Sequence, residues 1–168
     1  DTKPCLLVFE DGEVHRGEAF GRDGEKCGQV VFNTAMSGYQ EVLSDPSYRG
    51  QIVVMTYPLI GNYGINPEDW ESDACWLSGF VVRELSPIAS NQRSVMDLHT
   101  ALAEKGVVGI AGVDTRVIVH KVREAGEMKA IISSVDTDVD SLLGKVKAWP
   151  GLSGLDVVQE VTCEKSYP

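Results

Sequence analysis

Short, unbroken apolar blocks set the first limit on this fold. Val30-Val31-Phe32 and Ile52-Val53-Val54-Met55 have the length and β-branched content of buried strands. In the stretch from Gly28 to Thr34 the apolar residues are contiguous rather than alternating, so this strand needs cover on both faces. Between the two blocks lies a short amphipathic piece, Gly38 to Leu43, and then Ser44-Asp45-Pro46-Ser47-Tyr48. Pro46 biases Asp45 away from the helical region, so the piece ends by Asp45 and a tight polar turn follows. After the second block come Pro58, Gly61, Asn62, Gly64 and Asn66, residues that tolerate unusual backbone angles or break regular structure. Polar loops that follow strands are where α/β proteins concentrate function. The pattern alone names no reaction.

The rest of the chain supplies partners for these strands. Leu6 to Glu10 and Val14 to Phe20 flank Asp11-Gly12, which predicts a hairpin with a type I′ turn. Arg22 to Lys26 reads as a charged surface turn, and Gly79 to Leu85 as a further strand closed by Ser86-Pro87. Ser94 and Asp97 open a helix whose inner face carries Leu98, Ala101 and Leu102, with Gly106 as its stop. Val107 to Ala111 is a short buried strand. Asp114 is placed to cap a second helix, Thr115 to Ala125, ended by Gly126, with Ile118, Val122 and Ala125 inward. Met128 to Ser133 is a strand. Thr137 and Asp140 frame a third helix running to Trp149, with Val139, Leu142, Leu143 and Val146 inward, and Asp138 and Asp140 suit its positive end. Early strands followed by strand–helix alternation predict a layered α/β domain with a mixed sheet. Residues 1–150 form that domain, and 151–168 read as a linker.

The charge balance narrows function by exclusion. Twenty-five acidic against 15 basic residues give a net charge of -10, which disfavours nucleic-acid backbones and anionic membrane surfaces. No apolar run approaches the ~20 residues needed to span a bilayer, and the start has no signal-peptide character. The four cysteines, Cys5, Cys27, Cys75 and Cys163, are scattered, with no Cys-x-x-Cys pair to suggest zinc. Without secretory signals they read as free thiols of a cytoplasmic protein. Cys5 reads as a buried, inert thiol. His15 lies among polar residues, and His99 and His120 fall within helices and read as lacking a metal-ligand partner at i+4. No Gly-x-x-x-x-Gly-Lys-[Ser/Thr] phosphate loop is present, so ATP binding by this chain is not expected. Arg83 and Arg116 read as partners in ion pairs within the domain. Ser47 either caps its own turn or offers its hydroxyl to a ligand.

Four ordered blocks carry a family resemblance. Phe32-Asn33-Thr34-Ala35-Met36-Ser37-Gly38-Tyr39-Gln40-Glu41, Asp45-Pro46-Ser47-Tyr48, Gln51-Ile52 and Tyr57-Pro58-Leu59-Ile60-Gly61-Asn62 resemble the N-terminal domain of the carbamoyl phosphate synthase small subunit, bacterial type. Val81 to Pro87 with Ala89-Ser90-Asn91, and Gly109 to Arg116, extend the likeness. It runs from about Leu6 to about Ile132 and returns more loosely in the tail. The resemblance implies a swivelling β/β/α fold and a role beside a glutamine-hydrolysing machine. That machine releases ammonia through a cysteine held by a histidine and a carboxylate. None of the four cysteines has the family's Gly-x-Cys-x-Gly setting. The resemblance therefore implies no catalytic residue in this chain, a missing C-terminal glutaminase domain beyond residue 168, and inactivity of this part alone. It implies a large synthetase subunit as partner, which binds the ATP and magnesium and makes carbamoyl phosphate for pyrimidines and arginine. One residue carries over: Ser47 matches the family serine that reaches the bound glutamine. The loop from Tyr57 to Gly64 reads either as an internal turn or as a docking surface for the large subunit, and docking is the preferred reading. The alternative from another class is a free-standing binding or phosphocarrier module.

Overall fold

The computed structural model describes residues 3–34, 42–43, 45–56, 59–60, 77–85 and 98–151. In chain order the strands and helices are β1 (Pro4–Phe9), β2 (Val14–Gly21), β3 (Glu25–Asn33), β4 (Gln51–Met55), β5 (Leu59–Ile60), β6 (Gly79–Val82), β7 (Glu84–Leu85), α1 (Leu98–Lys105), β8 (Val108–Ala111), α2 (Thr115–Ala125), β9 (Lys129–Ser133) and α3 (Val139–Ala148). A 3-10 turn, Pro46–Tyr48, leads into β4. The mixed α/β fold matches the sequence expectation. Its sheet goes further than layers, because its edges meet and close a barrel in the order β1-β2-β8-β6-β4-β3-β9.

Two kinds of pairing close the ring. β3, β4, β6 and β8 are parallel neighbours. β9, β1 and β2 complete the circle through antiparallel pairs. β3 belongs to both halves: Glu25 to Gln29 pair with β9, and Gln29 to Asn33 pair with β4. Outside the barrel, β5 and β7 form a small parallel pair.

Closure explains the contiguous apolar blocks. Alternate residues of each strand point into the barrel or out of it. Cys5, Leu7 and Phe9 of β1, Ile52 and Val54 of β4, Val81 of β6 and Ala130 and Ile132 of β9 belong to the inner core. The residues between them face outward and are also covered. Leu6, Val8 and Ile131 lie under Leu142 and Val146 of α3. Val53, Met55, Phe80 and Val82 lie under Ala101 and Leu102 of α1, with Val42 and Leu43. The Phe20 and Phe80 rings meet edge to face at 6.5 Å.

Helix α2 plugs the barrel. Asp114 caps it by accepting from the amides of Arg116 and Val117, and Gly126 follows its last turn, as the sequence predicts. Ile118, Val119 and Val122 join the inner core. Burying three such side chains contributes roughly 1.5–3 kcal/mol each, against about 1 kcal/mol for the cap, so packing holds this helix in place. The predicted inner stripe is corrected at one end: Ala125 is exposed, and Thr115 and Val119 take inward positions instead. On one flank Lys121 pairs with Asp11 and with Glu13, 3.2 Å away, tying the plug to the first hairpin.

That hairpin also differs from expectation. Gly12 donates to Phe9 and Phe9 donates to Glu13, both at 2.9 Å, which makes a three-residue loop. Gly12 has φ +96, and no described residue other than glycine has positive φ. A type I′ turn needs positive φ at both central residues. Asp11 does not supply it, so the chain takes a turn followed by one left-handed glycine. The N-terminal end of α3 is corrected by one residue: Asp138, not Thr137, is its cap and accepts from the Asp140 amide, while Trp149 and Pro150 terminate it as expected. The predicted caps Ser94 and Asp97, the piece from Gly38 to Glu41, and the predicted linker from 152 onward lie outside the described residues.

Two predictions follow from packing and charge. A Cβ on Gly17 would sit 2.3 Å from the Ala111 carbonyl oxygen and 2.9 Å from Ile110, whereas one on Gly144 of α3 meets nothing. Gly17→Ala should therefore destabilise the chain by about 1–3 kcal/mol in urea denaturation, and Gly144→Ala should stabilise it by about 0.5–1 kcal/mol. The Ser141 hydroxyl, then the Asp138 amide and the Lys145 ammonium, hold the Asp136 carboxyl down at about 2, from an ordinary value of 3.8. Its contribution is complete above about pH 5 and is lost as the pH falls through about 2. Asp136→Asn should flatten the acid limb of the stability–pH curve over that window.

Candidate functional site

The serine turn is built by its neighbours. Asp45 is extended, at φ -79 and ψ 116, as Pro46 requires. Its carboxylate accepts from the Ser47 amide at 2.9 Å. Tyr48 and Arg49 amides donate to Asp45 and Pro46 carbonyls at 3.1 Å, closing the 3-10 turn. The Asn33 side-chain amide at the end of β3 donates to the Tyr48 hydroxyl at 3.0 Å, and Tyr48 packs against the outer core. The turn is thus fixed at both ends. Asp45, not Ser47, performs the capping. The Ser47 side chain is exposed, and its hydroxyl makes no hydrogen bond to any described residue.

A second feature was not singled out by the sequence. An open cleft of about 410 Å³ lies between α2 and the residues that follow β3 and β4. Thr34 and Thr56 form one wall, and Arg116, His120 and Arg123 the other, over Val119. Arg116, His120 and Arg123 fall at i, i+4 and i+7, one face of a helix, which is the signal that could have marked them. The threonines come from distant parts of the chain and gave none. Arg123 lies 5.4 Å from the Phe32 ring centroid. His120 pairs with Glu124 at 2.8 Å, so its i+4 position does hold a potential ligand, contrary to the sequence reading. Arg116 and Arg83 are corrected too: neither makes an ion pair among the described residues, and Arg83 contributes only its carbonyl, to Gly112.

The other candidates occupy structural places. Cys5 is buried inside the barrel, and burial pushes its thiol up to about 12. Burial, with the charge of Glu25, pushes Cys27 up to about 11. Cys75 and Cys163 lie outside the described residues. His15 bonds Glu13 at 2.6 Å and stands edge-on to Phe9. His99 accepts the Gly21 amide at 2.9 Å. Among the described residues no cluster of three metal-ligating side chains occurs, and no helix is long and apolar enough to cross a membrane. Of the loop from Tyr57 to Gly64, Leu59–Ile60 form β5, and the other residues lie outside the described ones.

The described residues thus form a helix-plugged mixed α/β barrel that displays a capped serine turn and whose described thiols are buried or half-buried. Residues 7–132 match the family described as carbamoyl-phosphate synthase small chain, CPSase domain, and the chain belongs to that family. It is 53% identical over 164 residues to the carbamoyl phosphate synthase small chain of Chlorobaculum tepidum, covering 98% of this chain and 45% of that one. The small chain of Syntrophotalea carbinolica is 54% identical over 163 residues, covering 97% and 43%. That of Pseudomonas aeruginosa is 48% identical over 167 residues, covering 99% and 44%. The chain thus spans less than half the length of these relatives.

The thiol environments can be tested directly. With a pKa near 11, only ~0.1% of Cys27 is thiolate at pH 8. Iodoacetamide at that pH should label Cys27 far more slowly than free cysteine, and Cys5 only after unfolding. Rapid labelling of either in the folded chain, located by mass spectrometry, would contradict the burial described.

Proposed function

We propose that this chain is the N-terminal part of the small chain of a glutamine-hydrolysing carbamoyl phosphate synthase. In this reading the whole small chain hydrolyses glutamine through a cysteine, histidine and carboxylate carried by a further, C-terminal domain. The large subunit combines the ammonia with bicarbonate and two ATP, and it holds the ATP and magnesium. The present chain needs no cofactor, lacks activity alone, works in the cytoplasm, supports the glutaminase fold and helps to seat the large subunit. The observation that supports the reading best is identity above half with named small chains over nearly all of this sequence.

Ser47 has a definite task in it. A glutamine bound to the neighbouring domain offers amide, amino and carboxylate groups, and a hydroxyl can donate to or accept from any of them. The capped turn presents that hydroxyl without a competing partner among the described residues. Its rigidity lowers the ordering cost of the contact.

The test uses the full-length small chain assembled with its large subunit. Ser47→Ala removes one hydrogen bond, worth about 0.5–1.5 kcal/mol, and should raise the Michaelis constant for glutamine about 2- to 12-fold. Activity supported by added ammonia should be retained. An unchanged constant for glutamine counts against the contact, and glutaminase activity in the 168-residue chain alone would overturn the assignment of the chemistry to another domain.

A further inference from the structure

Two adjacent residues of the serine turn face different surroundings. Ser47 is exposed, while the half-buried Tyr48 ring packs against the outer core. Successive residues of a 3-10 turn project about 120° apart, so the placing of one side chain directs the other. With the Tyr48 ring held on the barrel wall, the Ser47 hydroxyl is turned away from it. The direction of Ser47 therefore depends on what fixes Tyr48.

A polar bond adds to the packing. The Tyr48 hydroxyl accepts from the Asn33 side-chain amide at 3.0 Å. The two residues belong to opposite ends of a strand pair. The turn leads into β4 at Gln51, which pairs with Gln29, whereas Asn33 pairs with Met55 at the other end. Those four residues of strand span about 13 Å. The phenol thus bridges the turn to the far end of β3. Asn33 is held there, because its carbonyl accepts from the Thr56 amide at 3.0 Å. The bond from the Ser47 amide to Asp45 lies within the turn and shapes it. The bond from Asn33 to Tyr48 seats the turn on the barrel.

We propose that Tyr48 is a positioning residue for Ser47: its bond to Asn33 aims the Ser47 hydroxyl at the glutamine carried by the neighbouring domain, and Tyr48 itself does not touch the substrate. This role rests on the reading of Ser47 given above and adds to it the residues that set how well the hydroxyl works. A hydroxyl already aimed forms its hydrogen bond without first giving up freedom of motion. Freeing the turn weakens the hold on glutamine and leaves the use of ammonia by the large subunit untouched.

The experiment measures the Michaelis constant for glutamine in the full-length small chain assembled with its large subunit, for wild type, Tyr48→Phe, Ser47→Ala and the double variant. Tyr48→Phe keeps the apolar ring and removes the hydroxyl. It should raise the constant about 2- to 5-fold, and no more than Ser47→Ala does, with kcat and ammonia-supported activity retained. In the Ser47→Ala background Tyr48→Phe should change the constant by less than about 1.5-fold, because effects that pass through one hydroxyl do not add. Ser141→Ala is the control: it deletes a hydrogen bond of 2.6 Å to Asp136 and should leave the glutamine constant unchanged while lowering the melting temperature. An unchanged constant in Tyr48→Phe overturns the positioning role and leaves the reading of Ser47 intact. An equal rise in both backgrounds, or in Ser141→Ala, also overturns it, since a merely structural bond acts in that way. So does loss of assembly or of ammonia-supported activity in Tyr48→Phe. If Ser47→Ala itself leaves the constant unchanged, the reading of Ser47 falls and this role falls with it.

Discussion

The structure depends on burying short apolar strands on both sides at once. A strand such as Ile52-Val53-Val54-Met55 has no polar face to give to water. Folding it into a one-sided sheet would expose half of it, and each large side chain left out forfeits roughly 1.5–3 kcal/mol. Closing the sheet gives every inward residue a common interior. The outward residues then need helices, and α1 and α3 cover two separate stretches of the outer wall. The remaining opening is filled by α2. The arrangement is tight enough to require residues without side chains where strands and neighbours converge. At Gly17 a Cβ would collide with backbone, and at Gly109 with the Phe20 ring at 2.7 Å.

Because the apolar blocks are local features, the strands they form were legible from sequence. So were the ends of α2, since Asp114 and Gly126 mark them by side-chain capping and chain reversal. What a contiguous block does not encode is which of its residues face the same side as those of another strand. Barrel closure is decided by pairing among β1, β3 and β9, elements up to more than a hundred residues apart. The turn type of the first hairpin was missed for a related reason. Asp-Gly is compatible with two loops, and the pairing of Phe9 with Glu13 chooses the longer one. The serine turn was readable because Pro46 acts on its immediate neighbour. The α2 cleft was not, because one of its walls is assembled from the ends of two separate strands.

Burial also sorts the reactive groups. The same interior that stabilises the barrel holds Cys5 protonated, and α3 and β9 shield Cys27 in part. Charge is managed at the rim. Lys121 of α2 holds two carboxylates of the first hairpin loop, and Lys145 of α3 holds one from β3 and one from the turn before its own helix, so cations serve as ties between parts of the fold. The arginines on the other flank of α2 make no such tie among the described residues. One helix thus carries three separate duties on three faces: sealing the core, anchoring a hairpin and presenting cations.

The serine turn shows the same division of labour on a smaller scale. A serine that caps its own turn would have its hydroxyl committed to the backbone, and any ligand would have to compete with that bond. Here Asp45 satisfies the Ser47 amide, and Asn33 with Tyr48 secures the far end of the turn. Rigidity therefore comes from residues other than the one displayed. That separation is what allows a residue to be exposed and yet well placed: its neighbours meet the ordering cost in the folded chain, before any ligand arrives.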